Sequence, residues 1–163
     1  MTTKIGKAEV SLLDLDISPP VLGGLIGSLF EHFFIERLFS ELSVTERILW
    51  RRGDPLVEAD VVYEANKKYS FEIKTASTVD VYTSTRSTNA PGGDIAVKEK
   101  SGYYLIVRYS LETAIPTILW IRFGWLDQND WSNPEVAGRS QRLRLRQAWP
   151  KMQLLYQTSE KDK

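Results

Sequence analysis

Two near-continuous apolar runs constrain the fold of this chain more than any other feature. They occupy residues 103–109 and 117–123 and are rich in β-branched and aromatic side chains. A strand with one solvent-exposed face alternates apolar and polar residues, whereas a strand that is buried on both faces has an unbroken run of apolar residues. The two runs therefore predict central strands of a sheet that is covered on each side.

A long helix is predicted upstream of these strands. Pro19 and Pro20 favour its first turn, and the helical pattern continues to Leu42. The residues expected on its buried face follow the three-to-four spacing of an amphipathic helix. They are Leu25, Leu29, Phe33, Phe34 and Leu38.

Two further strand-like runs, residues 57–65 and 69–75, flank a polar turn at residues 66–68 and predict a hairpin. The order helix, hairpin, strand, strand predicts an α/β fold, with a central mixed sheet of about four or five strands flanked by helices. Residues 76–93 are rich in Ser, Thr and Asn, which predicts a long loop.

Length and composition narrow the classes of function. The 163 residues predict a single domain spanning 1–163, with residues 1–18 as an N-terminal arm and residues 159–163 as a frayed tail. The absence of cysteine excludes disulfides and thiolate chemistry, and a single histidine argues against a zinc site. We expect no signal peptide, no membrane span and a cytoplasmic location.

Charge is balanced overall but unevenly distributed. Lys plus Arg and Asp plus Glu each number 21, so net charge gives no general attraction to nucleic acid. Residues 139–151 contain bases and no acid, whereas Glu58, Asp60, Glu64 and Glu72 lie together in the middle of the chain. Acids that hold a metal ion and bases that hold phosphate would produce this division. Two ordinary solvated faces would produce it as well.

The predicted hairpin brings acidic residues together. If the chain folds around Asn66 and Lys67, Asp60 falls opposite Glu72 or Ile73. Strand periodicity places Glu72 and Lys74 on one face and Ile73 on the other. One carboxylate from each strand therefore meets on a single face, with an ammonium group one step along.

This combination is suited to phosphodiester hydrolysis. Mg²⁺ prefers oxygen ligands and usually takes only one or two carboxylates, and Asp60, Glu72 and the Ile73 carbonyl are the expected ligands. Lys74 would orient the attacking water or stabilise the charge that develops on phosphorus. An exposed cross-strand ion pair with no catalytic role is the alternative for an isolated Glu-x-Lys sequence.

The pattern of Asp60 followed by Glu72-Ile73-Lys74, with Glu31 on the preceding helix, resembles the PD-(D/E)XK nuclease superfamily, which includes many Type II restriction endonucleases. Ala59 stands where proline is common in that superfamily, which leaves Asp54 as a competing acid. The resemblance covers roughly residues 25–125 and assigns catalytic roles to Asp60, Glu72, Lys74 and Glu31. Residues 100–105 and 121–131 are in addition similar to ScaI-type restriction endonucleases.

The resemblance implies a restriction-endonuclease-like fold and Mg²⁺-dependent cleavage of duplex DNA at a short palindromic sequence, with Mn²⁺ able to substitute. It also implies a homodimer, and a cognate DNA methyltransferase that acts on the same site without a stable complex. A Holliday-junction resolvase or repair nuclease is the first alternative, because it shares the same order of acids. A non-catalytic DNA-binding module is the second.

DNA contacts are expected from basic and amide side chains in two regions, the polar segment around residues 86–100 and the basic run at residues 139–146. The alternating sequence from Arg142 to Arg146 would present its guanidinium groups on one side as a strand and spread them as a helix. Arg grips phosphates and reads guanine edges. The candidates are Arg86, Asn89, Lys98, Lys100, Arg139, Gln141, Arg142, Arg144 and Arg146.

Three polar residues have ordinary structural explanations. His32 lies among aromatic residues and is expected to be structural rather than catalytic. Asp127 and Asp130 are expected to cap turns rather than to bind a second metal ion.

Overall fold

The computed structural model describes residues 2–5, 8–11, 19–54, 57–83, 87–89, 95–97, 100–112, 116–132 and 141–158. Its helices are α1 (Pro19–Glu41), α2 (Val44–Arg47) and α3 (Leu145–Ala148), and three 3-10 turns cover Lys67–Tyr69, Gln128–Asp130 and Trp149–Lys151. The strands are β1 (Thr2–Ile5), β2 (Ala8–Ser11), β3 (Trp50–Arg52), β4 (Val61–Tyr63), β5 (Phe71–Ala76), β6 (Tyr82–Thr83), β7 (Ser87–Asn89), β8 (Ile95–Val97), β9 (Gly102–Ser110), β10 (Thr117–Leu126), β11 (Gln141–Arg142) and β12 (Met152–Gln157).

A six-stranded mixed sheet organises the chain, in the order β12-β10-β9-β5-β4-β3. Strands β5 and β9 pair in parallel, and the other neighbours in the sheet are antiparallel. The two apolar runs of the sequence form β9 and β10 inside this sheet. The prediction of a mixed α/β sheet is confirmed, with six strands instead of four or five, because the three-residue β3 and the C-terminal β12 carry no strong strand pattern.

Both faces of the sheet are covered, as the unbroken apolar runs predict. On one face, Ile73 and Leu105 pack with Ile35 of α1. On the other face, Ile106 packs with Trp131 and other residues of the C-terminal segment. Alternate residues of β5 and β9 thus enter two separate cores, which fixes the direction of every side chain on the central strands.

Helix α1 was correctly predicted in extent, but its buried face differs from the expected one. Leu25 and Phe33 are exposed, whereas Leu22, Ile26 and Ile35 are buried. The helix is apolar on most of its circumference, so the three-to-four spacing fits more than one face. Contact with the sheet determines which of these helix faces is buried. Among the described helices, none combines the length and apolar character that a membrane crossing requires.

The predicted hairpin has shorter strands than expected. Only Val61–Tyr63 is extended in the first run, and a 3-10 turn at Lys67–Tyr69, capped by the Asn66 side chain, replaces the simple polar turn. The segment expected to be a loop contains short strands, β6 and β7 among them. The mixed α/β arrangement is compatible with the restriction-endonuclease-like fold that the resemblance implies.

Candidate active site

Asp60 lies where β4 separates from β5. The two strands pair at Val61 and Phe71, so Asp60 is level with Glu72, in the predicted register. At this point the Asp60 side chain, and not a main-chain carbonyl, accepts the hydrogen bond from β5. The Ile73 N–H donates to Asp60 Oδ2 at 2.7 Å. This bond fixes a carboxylate that is only 9% exposed beside the Glu72-Ile73-Lys74 segment.

Gly53 allows the chain to pass closely over this carboxylate. The Gly53 N–H donates to the Asp60 carbonyl at 3.1 Å, and a Cβ atom at position 53 would lie 1.8 Å from the Ala59 carbonyl oxygen. Any side chain there would push β3 away from residues 59–60. Asp54, the competing acid, lies in the next turn and is exposed, so it is Asp60 whose carboxylate bonds to β5.

Glu72 and Lys74 form an ion pair on one side of β5. Lys74 Nζ lies 2.6 Å from Glu72 Oε1, and the two side chains are 20% and 13% exposed. Ile73 points the other way and is buried against α1. The alternation predicted for this strand is therefore confirmed.

The electrostatics of Asp60 link these groups. Burial, followed by the negative charge of Glu72, raises the pKa of the Asp60 carboxyl to about 6, while Lys74 and the Ile73 N–H act in the opposite direction. Glu31 makes a smaller contribution that raises the pKa. The site therefore holds a carboxylate whose charge is poorly compensated, a condition that a bound cation relieves.

Helix α1 brings Glu31 to the same region. A Cβ atom at position 27 would lie 2.7 Å from Thr75 Oγ1, so Gly27 permits a close approach of helix and strand. One turn later, Glu31 and Lys74 line a common cleft, here called the α1–β5 cleft. Glu31 is engaged by Arg52, with Nη2 to Oε1 at 2.9 Å.

The donor set fits a Mg²⁺ ion that keeps most of its water. Among the side chains that the structure describes, no three acidic or histidine residues cluster as metal ligands. Asp60 and Glu72 supply two neighbouring carboxylates that could hold a cation, and the Ile73 carbonyl, next to Glu72 in the chain, is a third candidate oxygen. One or two carboxylates are what a water-rich, octahedral Mg²⁺ site requires.

Other acids of the central cluster have a different role. The Arg51 guanidinium donates to both Glu58 oxygens, at 2.7 and 2.8 Å, and also binds Glu64. Arg51 holds the pKa of the Glu58 carboxyl well below its usual range, with help from the Asp54 N–H and Lys67. The charge pattern had grouped Glu58 and Glu64 with the metal-binding acids. Sequence spacing alone does not reveal this cross-strand network.

The basic run is split between two elements. Arg142 ends β11, Leu143 is buried and forms a bridge with Trp131, and α3 begins at Leu145. Arg142, Arg144 and Arg146 are exposed and line one groove, here called the arginine surface. Asp80 lines both this groove and the α1–β5 cleft, so the arginine surface adjoins the cleft.

Two expected DNA contacts are inaccessible. Lys100 is 7% exposed and its Nζ donates to Thr83 Oγ1 at 3.1 Å, and Gln141 is 3% exposed. Their polar character suggested surface positions, but tertiary packing encloses them. Arg86, Lys98, Arg139 and the Asn89 side chain lie outside the described residues.

Among the remaining polar candidates, Asp127 and Asp130 have a structural role. Asp127 and Asp130 form a capping box around the Gln128–Asp130 turn, and Lys151 pairs with both. His32 is exposed and lies against the Phe33 ring, with Nδ1 at 3.5 Å from Arg52 Nη1. Capping, as the sequence predicted, accounts for the two acids.

Comparisons with known proteins place the chain in a family. The family described as ScaI restriction endonuclease matches residues 1–156. The chain is 38% identical over 96 residues to the Type II restriction enzyme ScaI of Streptomyces caespitosus, an alignment that covers 56% of this chain and 40% of that protein. No solved structure matches the chain. Because the family match spans nearly all of the sequence, this chain belongs to the ScaI restriction endonuclease family.

Proposed function

We propose that this chain is a Mg²⁺-dependent Type II restriction endonuclease of the PD-(D/E)XK type, which hydrolyses duplex DNA at a short palindromic sequence. Given the family of this chain, one structural observation is the main support for the proposal. The Asp60 carboxylate is bonded to the Ile73 N–H, so that it lies beside the Glu72–Lys74 ion pair. Two carboxylates and an ammonium group at one point meet the minimum for metal-assisted hydrolysis.

Asp60, Glu72 and the Ile73 carbonyl would hold the cation. Mg²⁺ is the proposed ion, and Mn²⁺ would substitute because it accepts the same oxygen ligands. When bound, the cation would polarise the scissile phosphate and make water a better nucleophile at neutral pH. Burial of Asp60 adds to its affinity for a cation, because the ionised carboxylate has few other compensating charges.

Lys74 would act on the phosphate and the attacking water. The oxygen of water would form a bond to phosphorus and lose a proton to solvent, the bond from phosphorus to the leaving sugar oxygen would break, and that oxygen would take up a proton. Negative charge grows on the phosphate oxygens in between. The Lys74 ammonium, held by Glu72 at 2.6 Å, is placed to stabilise that charge. Glu31 lies in the wall of the α1–β5 cleft and would influence the electrostatics of the site through its negative charge and its ion pair with Arg52.

The arginine surface would bind the duplex. Its guanidinium groups are exposed, and Asp80 connects the surface with the α1–β5 cleft. Arg142 is the member nearest an acid, with Nη1 at 3.7 Å from Asp80 Oδ2. Phosphate contacts would set the position of the duplex, and bidentate contacts would read guanine. On the basis of the sequence pattern alone, DNA contacts are also proposed for Arg86, Asn89, Lys98 and Arg139.

The test is incubation of the protein with long duplex DNA and Mg²⁺. We expect discrete fragments, no cleavage with a chelator, and protection when a methyltransferase has modified the same site. Cleavage of four-way junctions alone would instead identify a resolvase. Binding without any cleavage would indicate a non-catalytic module. The proposed enzyme and its methyltransferase would act in the cytoplasm without forming a stable complex.

We also propose that the enzyme is a homodimer joined at β12. This edge strand contains no charged residue between Met152 and Gln157, and Leu154, Leu155 and Tyr156 are 40%, 53% and 47% exposed. Solitary edge strands usually carry charges that prevent pairing. An uncharged strand can pair antiparallel with its own copy about a two-fold axis, the symmetry that a palindromic site requires.

Leu155→Lys is expected to convert the dimer to a monomer in sedimentation experiments, because pairing about the two-fold axis would bring two ammonium groups to an apolar seam. Val44→Lys is the matched control, since Val44 is 78% exposed on α2, which packs against β3 at the opposite edge of the sheet. The control should remain dimeric. A dimeric Leu155→Lys protein would contradict pairing through β12.

A further inference from the structure

A second groove opens beside Glu72, away from the α1–β5 cleft. It has a volume of about 590 Å³ and its walls include Lys67, Lys68, Ser70, Ser101 and Trp125. Glu72 lines this groove and Lys74 lines the α1–β5 cleft. Since Glu72 and Lys74 are paired, each of the two openings is lined by one member of the ion pair.

The wall of this second groove, here called the lysine groove, has a cationic end. Two acids line it: Glu58 is bound on both oxygens by Arg51 and also by Lys67, and Glu72 pairs with Lys74. Lys68 is exposed, and no carboxylate among the described side chains lies within ion-pair distance of its ammonium group. The charge of Lys68 is therefore available to a ligand.

Hydroxyl and aromatic groups complete the wall. Ser70 Oγ accepts a hydrogen bond from the Tyr63 N–H at 3.0 Å, which leaves its own hydrogen to donate. Trp125 is 36% exposed and packs edge-on against Tyr103, with centroids 5.2 Å apart. A cation, hydroxyl donors and an exposed indole are the groups that contact phosphate, sugar and base in nucleic-acid complexes.

We propose that the lysine groove holds the sugar-phosphate backbone of the cut strand on the side of the scissile bond opposite the arginine surface, with Lys68 bound to a phosphate. This inference rests on the proposed function and deepens it. A strand that enters from the cleft passes the Glu72–Lys74 pair and leaves along Lys68. The site thereby accepts an internal phosphodiester and needs no strand end.

The test compares Lys68→Ala with Arg37→Ala, which removes the same charge from the exposed face of α1, where Arg37 pairs with Glu41. Binding of a fluorescent duplex is measured across a salt series in a chelator. The slope of log K against log salt should be shallower by about 0.9 for Lys68→Ala, the value expected for one lost phosphate contact, and unchanged for Arg37→Ala. Lys68→Arg should restore the slope.

Cleavage kinetics with Mg²⁺ provide a second readout. Lys68→Ala should raise KM several-fold and leave kcat nearly unchanged, because the lost contact is made equally in the ground state and the transition state. Equal salt slopes for Lys68→Ala and Arg37→Ala would overturn the lysine groove while wild-type cleavage continued to support the proposed function. A wild-type protein that neither binds nor cuts duplex DNA would overturn both.

Discussion

Lys74→Ala is expected to lower kcat for duplex cleavage by roughly 10²–10³-fold, the loss typical of removing one preorganised charge from a site of developing negative charge. Lys74 is paired with Glu72 at 2.6 Å, and its positive charge also lowers the pKa of Asp60. On the proposed mechanism, the substitution removes a charge that stabilises the reacting phosphate and makes Asp60, the proposed metal ligand, harder to ionise. Single-turnover cleavage at saturating duplex measures the effect.

Binding distinguishes a catalytic loss from a structural one. The Lys74→Ala protein should bind duplex DNA in a chelator about as well as wild type, because the arginine surface is untouched. Lys74→Arg keeps the charge but changes the donor geometry, so part of the activity should return. Arg37→Ala supplies a control for removal of an unrelated cation. Full cleavage by Lys74→Ala would rule out the proposed site.

The central strands and the shared face of Glu72 and Lys74 could be predicted from the sequence, because local periodicity determines them. Unbroken apolar runs identify β9 and β10, and alternation in β5 separates Ile73 from Glu72 and Lys74. The Asp60 register followed from the length of the turn. In each case the residues that carry the signal are neighbours along one strand or across the one connection between β4 and β5.

Features that depend on contacts between residues far apart in the sequence could not be predicted in this way. Leu25 of α1 fits the amphipathic spacing, yet the sheet buries Leu22 and Ile26 instead. Lys100 and Gln141 are polar and nonetheless enclosed. Arg51 of β3 pairs with Glu58 in the connection that precedes β4, a contact that depends on how the chain folds between them. Composition and spacing predict surface positions for such polar residues, because neither depends on the layers that cover them in the fold.

Asp60→Asn is expected to abolish cleavage and at the same time to stabilise the metal-free protein at pH 8. The pKa of Asp60 is raised from 3.8 to about 6 in the folded state, chiefly by burial. Between these values the folded protein binds more protons than the unfolded chain, so the free energy of unfolding falls as pH rises. The carboxylate therefore costs about 2–3 kcal/mol of stability above pH 6.

Asparagine carries no charge to bury, and its side-chain oxygen can still accept the hydrogen bond from the Ile73 N–H. In urea unfolding with a chelator, the variant should match wild type near pH 4 and exceed it by about 1–3 kcal/mol at pH 8, after allowance for a weaker neutral hydrogen bond. Mg²⁺ should raise the stability of wild type at pH 8 and have little effect on Asp60→Asn.

Asp54→Asn is the matched control, because it removes the same charge from the exposed turn that precedes the site. It should keep both cleavage and the wild-type dependence of stability on pH. Loss of cleavage in Asp54→Asn, with activity retained in Asp60→Asn, would transfer the metal-binding role to Asp54. If Asp60 is the metal ligand, Asp60→Asn must both abolish cleavage and stabilise the metal-free protein. The same burial that destabilises the free carboxylate makes it a strong partner for a cation.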